Sequence, residues 1–215
     1  MRNTTKLLSI LENEGEILVK PFHADREKNV TTVEHGKILS RMNRVLFHYQ
    51  IGDETNTSML DSFRNQKITL FDAETKQKVL ELYYNRFPLF CKIFPKQYIR
   101  CLSTVSNGSQ SIGSIQQRLT FGKSCYDVYN SQYEHINTLI LRKSYFRSKI
   151  QHRISEYEIL DRNEIDIIGR IYPFSTDLER SQYGQAVAIK LPQDMNVEIK
   201  ATLVIAVLIL KTRLH

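Results

Sequence analysis

Glycine and proline are scarce in this chain, 8 and 5 of 215 residues, which leaves little room for a long flexible linker. No low-complexity segment interrupts it either. Cysteine is scarcer still. Cys91, Cys101 and Cys125 are too few and too scattered for a disulfide framework or a zinc site. The opening residues, MRNTTKLLSILENEGEILVK, lack a sustained apolar stretch, so no secretion signal is expected there. Without one, the sequons that begin at Asn3, Asn29, Asn56 and Asn107 carry no weight, and the expected compartment is cytosolic. Catalytic signatures are missing as well. His23, His35, His48, His135, His152 and His215 are dispersed, and no H-E-x-x-H, G-x-S-x-G, P-loop or G-x-G-x-x-G occurs. A bond-making enzyme is therefore not expected, and Cys125 beside Tyr126 reads as core rather than nucleophile.

Positive charge, by contrast, is in excess. Lys and Arg number 30 against 23 Asp and Glu, a net +7. That balance suits an anionic partner, nucleic acid or an acidic lipid surface, and it equally suits plain solubility. With 41% hydrophobic and 25% charged residues, the composition is that of a globular protein, long enough for one domain with a sizeable core.

Three segments share one pattern. KITLFDAETKQKVLELYY (67–84), CYDVYNSQYEHINTLIL (125–141) and EYEILDRNEIDIIGRIYP (156–173) each alternate apolar residues on both sides of a polar turn. Anchored at Asp72, Asn130 and Asp161, they align Ile68 with Tyr126 and Tyr157, Leu70 with Val128 and Ile159, and Leu82 with Ile140 and Ile171. Period-two apolarity around an Asp- or Asn-led turn predicts half-buried antiparallel hairpins. A further hairpin is expected over 31–42 with His35 and Gly36 in its turn, and more strand follows the Asn107-Gly108 pair. Such closely spaced short strands predict an all-β sandwich or closed barrel over 26–215, preceded by an N-terminal extension, 1–25, with a short helix near 6–13.

The blocks KITLFDAETKQKVLELYYNRFPLFC, SIGSIQQRLTF, YEILDRNEIDIIGRI and VAIKLPQDMNVEIKATLVIAVLIL, in that order over about residues 29–211, resemble the phospholipid scramblases. That resemblance implies the tubby-like class: a closed antiparallel β-barrel of about 12 strands around a hydrophobic C-terminal α-helix near 196–211. It also implies a protein at the cytosolic face of the plasma membrane that moves phospholipids between leaflets in both directions without ATP. Its expected partners are membrane phospholipids, anionic ones above all, rather than a small-molecule substrate. The alternative is a tubby-like module that binds anionic headgroups or nucleic acid and does not scramble.

The resemblance further implies Ca2+ held by an acidic segment before the terminal helix. In this chain Tyr183 and Gln185 stand where the leading carboxylates belong, and Asp194 is retained; Asp177 and Glu179 lie upstream as substitutes. Calcium needs six to eight oxygen ligands, so the set is eroded. Asp194 also reads as a turn or helix-cap residue. Cys91 keeps the place of an acylated cysteine cluster. Because one acyl chain anchors only marginally, Phe90 and Phe94 are the membrane-contact candidates beside it; they equally read as core.

The most basic stretch, LRKSYFRSKIQHR, carries Arg142, Lys143, Arg147, Lys149 and Arg153 around two aromatics with no acid between them. It is expected on a surface loop, where it would grip anionic lipid or the phosphates of nucleic acid, or simply be solvated. The tail ATLVIAVLIL is half the length of a membrane span and is closed by Lys211. Periodicity alone leaves it between buried strand and buried helix; the resemblance assigns it to the helix inside the barrel.

Overall fold

The computed structural model describes residues 8–21, 34–53, 65–85, 97–102, 109–118, 125–142, 156–174 and 186–213. A single 3-10 turn, Ser9–Leu11, precedes twelve strands among these residues. They are β1 (Glu16–Pro21), β2 (Glu34–Ser40), β3 (Val45–Asp53), β4 (Asn65–Asp72), β5 (Lys78–Asn85) and β6 (Gln97–Leu102), then β7 (Ser109–Arg118), β8 (Cys125–Asn130), β9 (His135–Arg142), β10 (Glu156–Leu160), β11 (Ile167–Pro173) and β12 (Val187–Lys190). One helix, α1 (Val197–Arg213), ends the chain. Each strand pairs antiparallel with its neighbour in sequence, and β1 pairs with β12 from Glu16↔Lys190 to Val19↔Val187, so the sheet closes into a ring. A closed sheet leaves no strand edge bare.

Alternation sorts the two faces. Ile17 and Val19, Ile68 and Leu70, Leu80 and Leu82, Tyr126 and Val128, and Tyr157 and Ile159 point inward into one core. Between them Lys67, Thr69, Glu81, Asp127 and Glu158 point outward. The core is filled by α1, every residue of which from Ala201 to Leu210 is buried. A helix apolar on all sides needs such burial on all sides, and the barrel supplies it. The tail is therefore a helix, and among the described residues no helix is long and apolar enough to cross a membrane.

Four hairpins turn by the same device. Asp72 Oδ1 accepts from the backbone N–H of Glu74 and Thr75 at 3.1 and 2.7 Å, Asn130 Oδ1 from Gln132 and Glu134 at 2.9 Å each, and Asp161 Oδ1 from Ile165 and Asp166 at 2.9 and 3.2 Å. In the fourth, Ser40 Oγ accepts from Arg44 N at 3.2 Å. Each turn carries one left-handed residue, Lys76, Tyr133, Glu164 and Asn43 in the same order, at φ 58°, 63°, 59° and 60°. Each also shifts the strand register by a bulge.

Three of these turns fall where the aligned repeat places them, and the fourth corrects an expectation. His35 and Gly36 do not form a turn; they lie inside β2, and the chain reverses at 41–44 instead. Gly36 sits opposite Tyr49 in register, and a Cβ there would collide with the Tyr49 ring. The glycine serves cross-strand packing, not chain reversal.

A second correction concerns the N-terminus. Part of the segment 1–25 set apart as an extension is barrel: β1 pairs with both β2 and β12, and Leu8, Leu11, Ile17 and Val19 belong to the core. This end is tied to α1 by Lys200, which is fully buried. Its Nζ reaches the carbonyls of Leu11 (3.2 Å), Glu12 (2.7 Å), Glu14 (3.1 Å) and Gln193 (2.7 Å). Burial pushes the Lys200 pKa down, while Glu14, Asp194 and Glu12 pull against that shift.

Candidate functional site

The up-and-down order puts the turns after β2, β4, β8 and β10, and the link from β12 to α1, at one end of the barrel. At the other end lie the strand ends that lead into residues 86–96 and 143–155. Cys91, Phe90 and Phe94, and likewise Lys143, Arg147, Lys149 and Arg153, fall outside the described residues. Of the predicted basic stretch Arg142 is described, exposed at the end of β9, where its Nη1 is 3.5 Å from Glu158 Oε1.

That ion pair belongs to a row of charges crossing the outer face. In register, Glu158 on β10 stands beside Arg170 on β11, Arg170 beside Lys190 on β12, and Lys190 beside Glu16 on β1. Each acid would neutralise the cation next to it, but each also has another partner. Glu158 meets Arg142. Glu16 meets Arg41 Nε at 3.6 Å and accepts the Tyr172 hydroxyl at 2.7 Å. Burial and the Glu16 carboxylate push the Tyr172 pKa up to about 12, so the hydroxyl keeps its proton. The central pair, Arg170 and Lys190, is exposed and makes no ion pair among the described residues. Two like charges directly opposite repel, so the arrangement costs stability unless an anion lies between them.

The pair opens onto a groove of about 690 Å3 walled by Ile167, Tyr172, Leu191 and Pro192, with Glu156 also on its lining. Ile167 is 49% exposed. The groove thus brings two cations and apolar side chains onto one lining. Arg170 and Lys190 were not legible as a site in sequence. They are 20 positions apart, and only strand register makes them neighbours.

Asp194 is exposed in the connection from β12 to α1. It is not the helix cap; Asn196 is, with its Oδ1 accepting from Glu198 N at 2.8 Å. A smaller groove of about 380 Å3 beside Asp194 also includes Asp161 and Asn196. Asp161 Oδ1 and Asn196 Oδ1 are already used, by the turn N–H groups and by the α1 N-terminus. The described residues here do not supply calcium's six to eight oxygens. Asp177 and Glu179 lie outside the described residues.

Another cluster does bring metal-binding types together. Asp127, His135 and Glu164 present donor atoms within 4.8 Å of one another, a group that could hold a metal ion. Asp127 is buried, His135 partly so, and Glu164 exposed. Arg118 clamps both carboxylates: Nε to Asp127 Oδ2 at 3.0 Å, Nη1 to Glu164 Oε2 at 3.1 Å, and Nη2 to Oδ1 and Oε1 at 2.5 Å each. This holds the Glu164 carboxyl below the usual range and raises Arg118 further. The turn after β10 carries Glu164 there in its left-handed conformation. No motif spacing marks the group, because its members come from β7, β8, β9 and that turn.

No family model matches the chain, and comparison with curated proteins and with solved structures returns no match.

Proposed function

We propose that this protein binds anionic phospholipid headgroups on the outer face of its barrel, as a scramblase-like member of the tubby-like class. The observation that carries the reading is the exposed Arg170–Lys190 pair, which makes no ion pair among the described residues and lines a groove with apolar walls. A phosphodiester head would sit between the two cations, and the upper acyl or glycerol region would lie along Ile167, Leu191 and Pro192. The filled interior agrees with this reading: α1 occupies the space a lipid would need inside the ring, so lipid is engaged from outside. Nucleic acid is the poorer fit. It asks for a run of cations spaced along a backbone, whereas this pair is closed off on both sides by Glu158 and Glu16.

The resemblance to scramblases adds movement of lipid between leaflets to binding, at the cytosolic face of the plasma membrane. Calcium is not given a step, because Asp194 stands without a ligand set among the described residues.

Vesicle binding tests the reading. The full chain should sediment with phosphatidylserine-containing vesicles, release with added salt, and ignore neutral phosphatidylcholine vesicles. Each cation near an anionic bilayer contributes on the order of 1 kcal/mol. Arg170→Gln with Lys190→Gln should then weaken binding roughly thirtyfold. An unchanged double variant, or equal binding to neutral vesicles, would sink the site. Dye-labelled vesicles carrying the protein separate binding from scrambling: exposure of inner-leaflet lipid above that of empty vesicles is required for the latter.

A further inference from the structure

The cluster on the outer face of β7, β8 and β9 has a geometry that its ion pairs alone do not require. Thr138 Oγ1 is 2.9 Å from His135 Nε2, 3.1 Å from Glu164 Oε1 and 3.5 Å from Asp127 Oδ1. His135 Nε2 is 3.8 Å from Asp127 Oδ1. A tetrahedral zinc-like ion with bonds of about 2.1 Å separates its donors by about 3.4 Å. The four measured edges bracket that value.

We infer that His135, Asp127 and Glu164, with the Thr138 hydroxyl at the fourth corner, form a binding site for a divalent transition metal. The donor chemistry selects the metal class. An imidazole and two carboxylates suit zinc, cobalt or nickel. They are too few for calcium, which takes six to eight oxygens and does not favour an imidazole nitrogen. The inference is independent of the lipid reading, since it uses different residues on different strands.

Arg118 holds the site in its metal-free form. Its Nη2 contacts Oδ1 and Oε1, the two oxygens the metal would take. Its Nε and Nη1 contact Oδ2 and Oε2, the two oxygens that would face away from the ion. The guanidinium is one rigid plane, so metal entry requires Arg118 to withdraw as a unit from both carboxylates. The Arg118 side chain is 35% exposed, which gives it room to withdraw. With the metal bound, the turn after β10 is pinned to β8 and β9 through Glu164.

The test uses the full chain stripped with a chelator. Titration with Co2+, followed by visible absorption, and with Zn2+, followed by calorimetry, should each report one site, with the intense bands of tetrahedral cobalt. His135→Ala should abolish the bands, and Asp127→Asn should weaken binding at least about tenfold. Arg118→Gln removes the competing cation and should tighten binding by about tenfold or more. Should His135→Ala fail to fold by circular dichroism, His135→Gln and Glu164→Gln, at partly exposed and exposed positions, take its place. Absence of bands and heat in both the native chain and Arg118→Gln overturns the proposal, as does undiminished binding in the His135 variants.

Discussion

At the scale of the residue, Lys200 gathers carbonyl oxygens from two stretches of chain, 11–14 and 193, onto one ammonium inside the molecule. An ammonium has three protons for these four acceptors, so one bond is shared. The arrangement answers a local problem: a buried ammonium needs acceptors, and these carbonyls supply them. Lys200→Met keeps the length of the side chain and removes every donor. It should cost about 3 kcal/mol in urea unfolding, because the hydrogen bonds that tie 11–14 and 193 to α1 are lost. A variant as stable as the native chain would show that water satisfies those oxygens instead. In sequence Lys200 is merely a charge that interrupts an apolar stretch; the carbonyls it serves are set by tertiary approach.

At the scale of the element, the four bulged hairpins show how local chemistry places chain reversals. Asp72, Asn130 and Asp161 have short side chains that accept from N–H groups two to five residues ahead, and between two alternating apolar runs such residues mark a turn. These three reversals were legible for that reason. The reversal led by Ser40 was hidden because a hydroxyl signals a turn more weakly, and because His35-Gly36 five residues earlier imitates one. What the repeat does not announce is the left-handed residue in each turn. Tyr133 adopts φ 63° with a side chain that makes this conformation unfavourable. Tyr133→Gly should raise stability by roughly 0.5–1 kcal/mol, read as a higher denaturation midpoint. A lower midpoint would mean that contacts of the Tyr133 ring outweigh the strain.

At the scale of the whole molecule, one core joins all the parts. Residues of α1 belong to the same buried cluster as residues of β1, β4, β8 and β10. Neither helix nor sheet can shed its partner without exposing that cluster, so unfolding is expected as a single cooperative transition. Leu208→Ala, at a fully buried helix position, should lower stability by roughly 2–5 kcal/mol without splitting the transition. Helix content lost ahead of sheet content on heating would show that the two separate. The charge row on the outer face also belongs to this scale, since ring order and register alone bring Glu158, Arg170, Lys190 and Glu16 side by side.

By itself the sequence determined the elements whose causes are local. Alternation specifies strands and which face of each is apolar, short polar side chains specify where three hairpins reverse, and composition specifies a globular, basic chain. Periodicity could not choose helix or strand for ATLVIAVLIL, because an apolar run buried on all sides has no polar face to reveal its period. The tertiary structure decided that, along with the place of β1 in the ring and the buried role of Lys200. It also decided both candidate sites. Arg170 meets Lys190, and Asp127 meets His135 and Glu164, only through pairings between strands, and a pairing is a relation between distant segments that neither segment encodes alone.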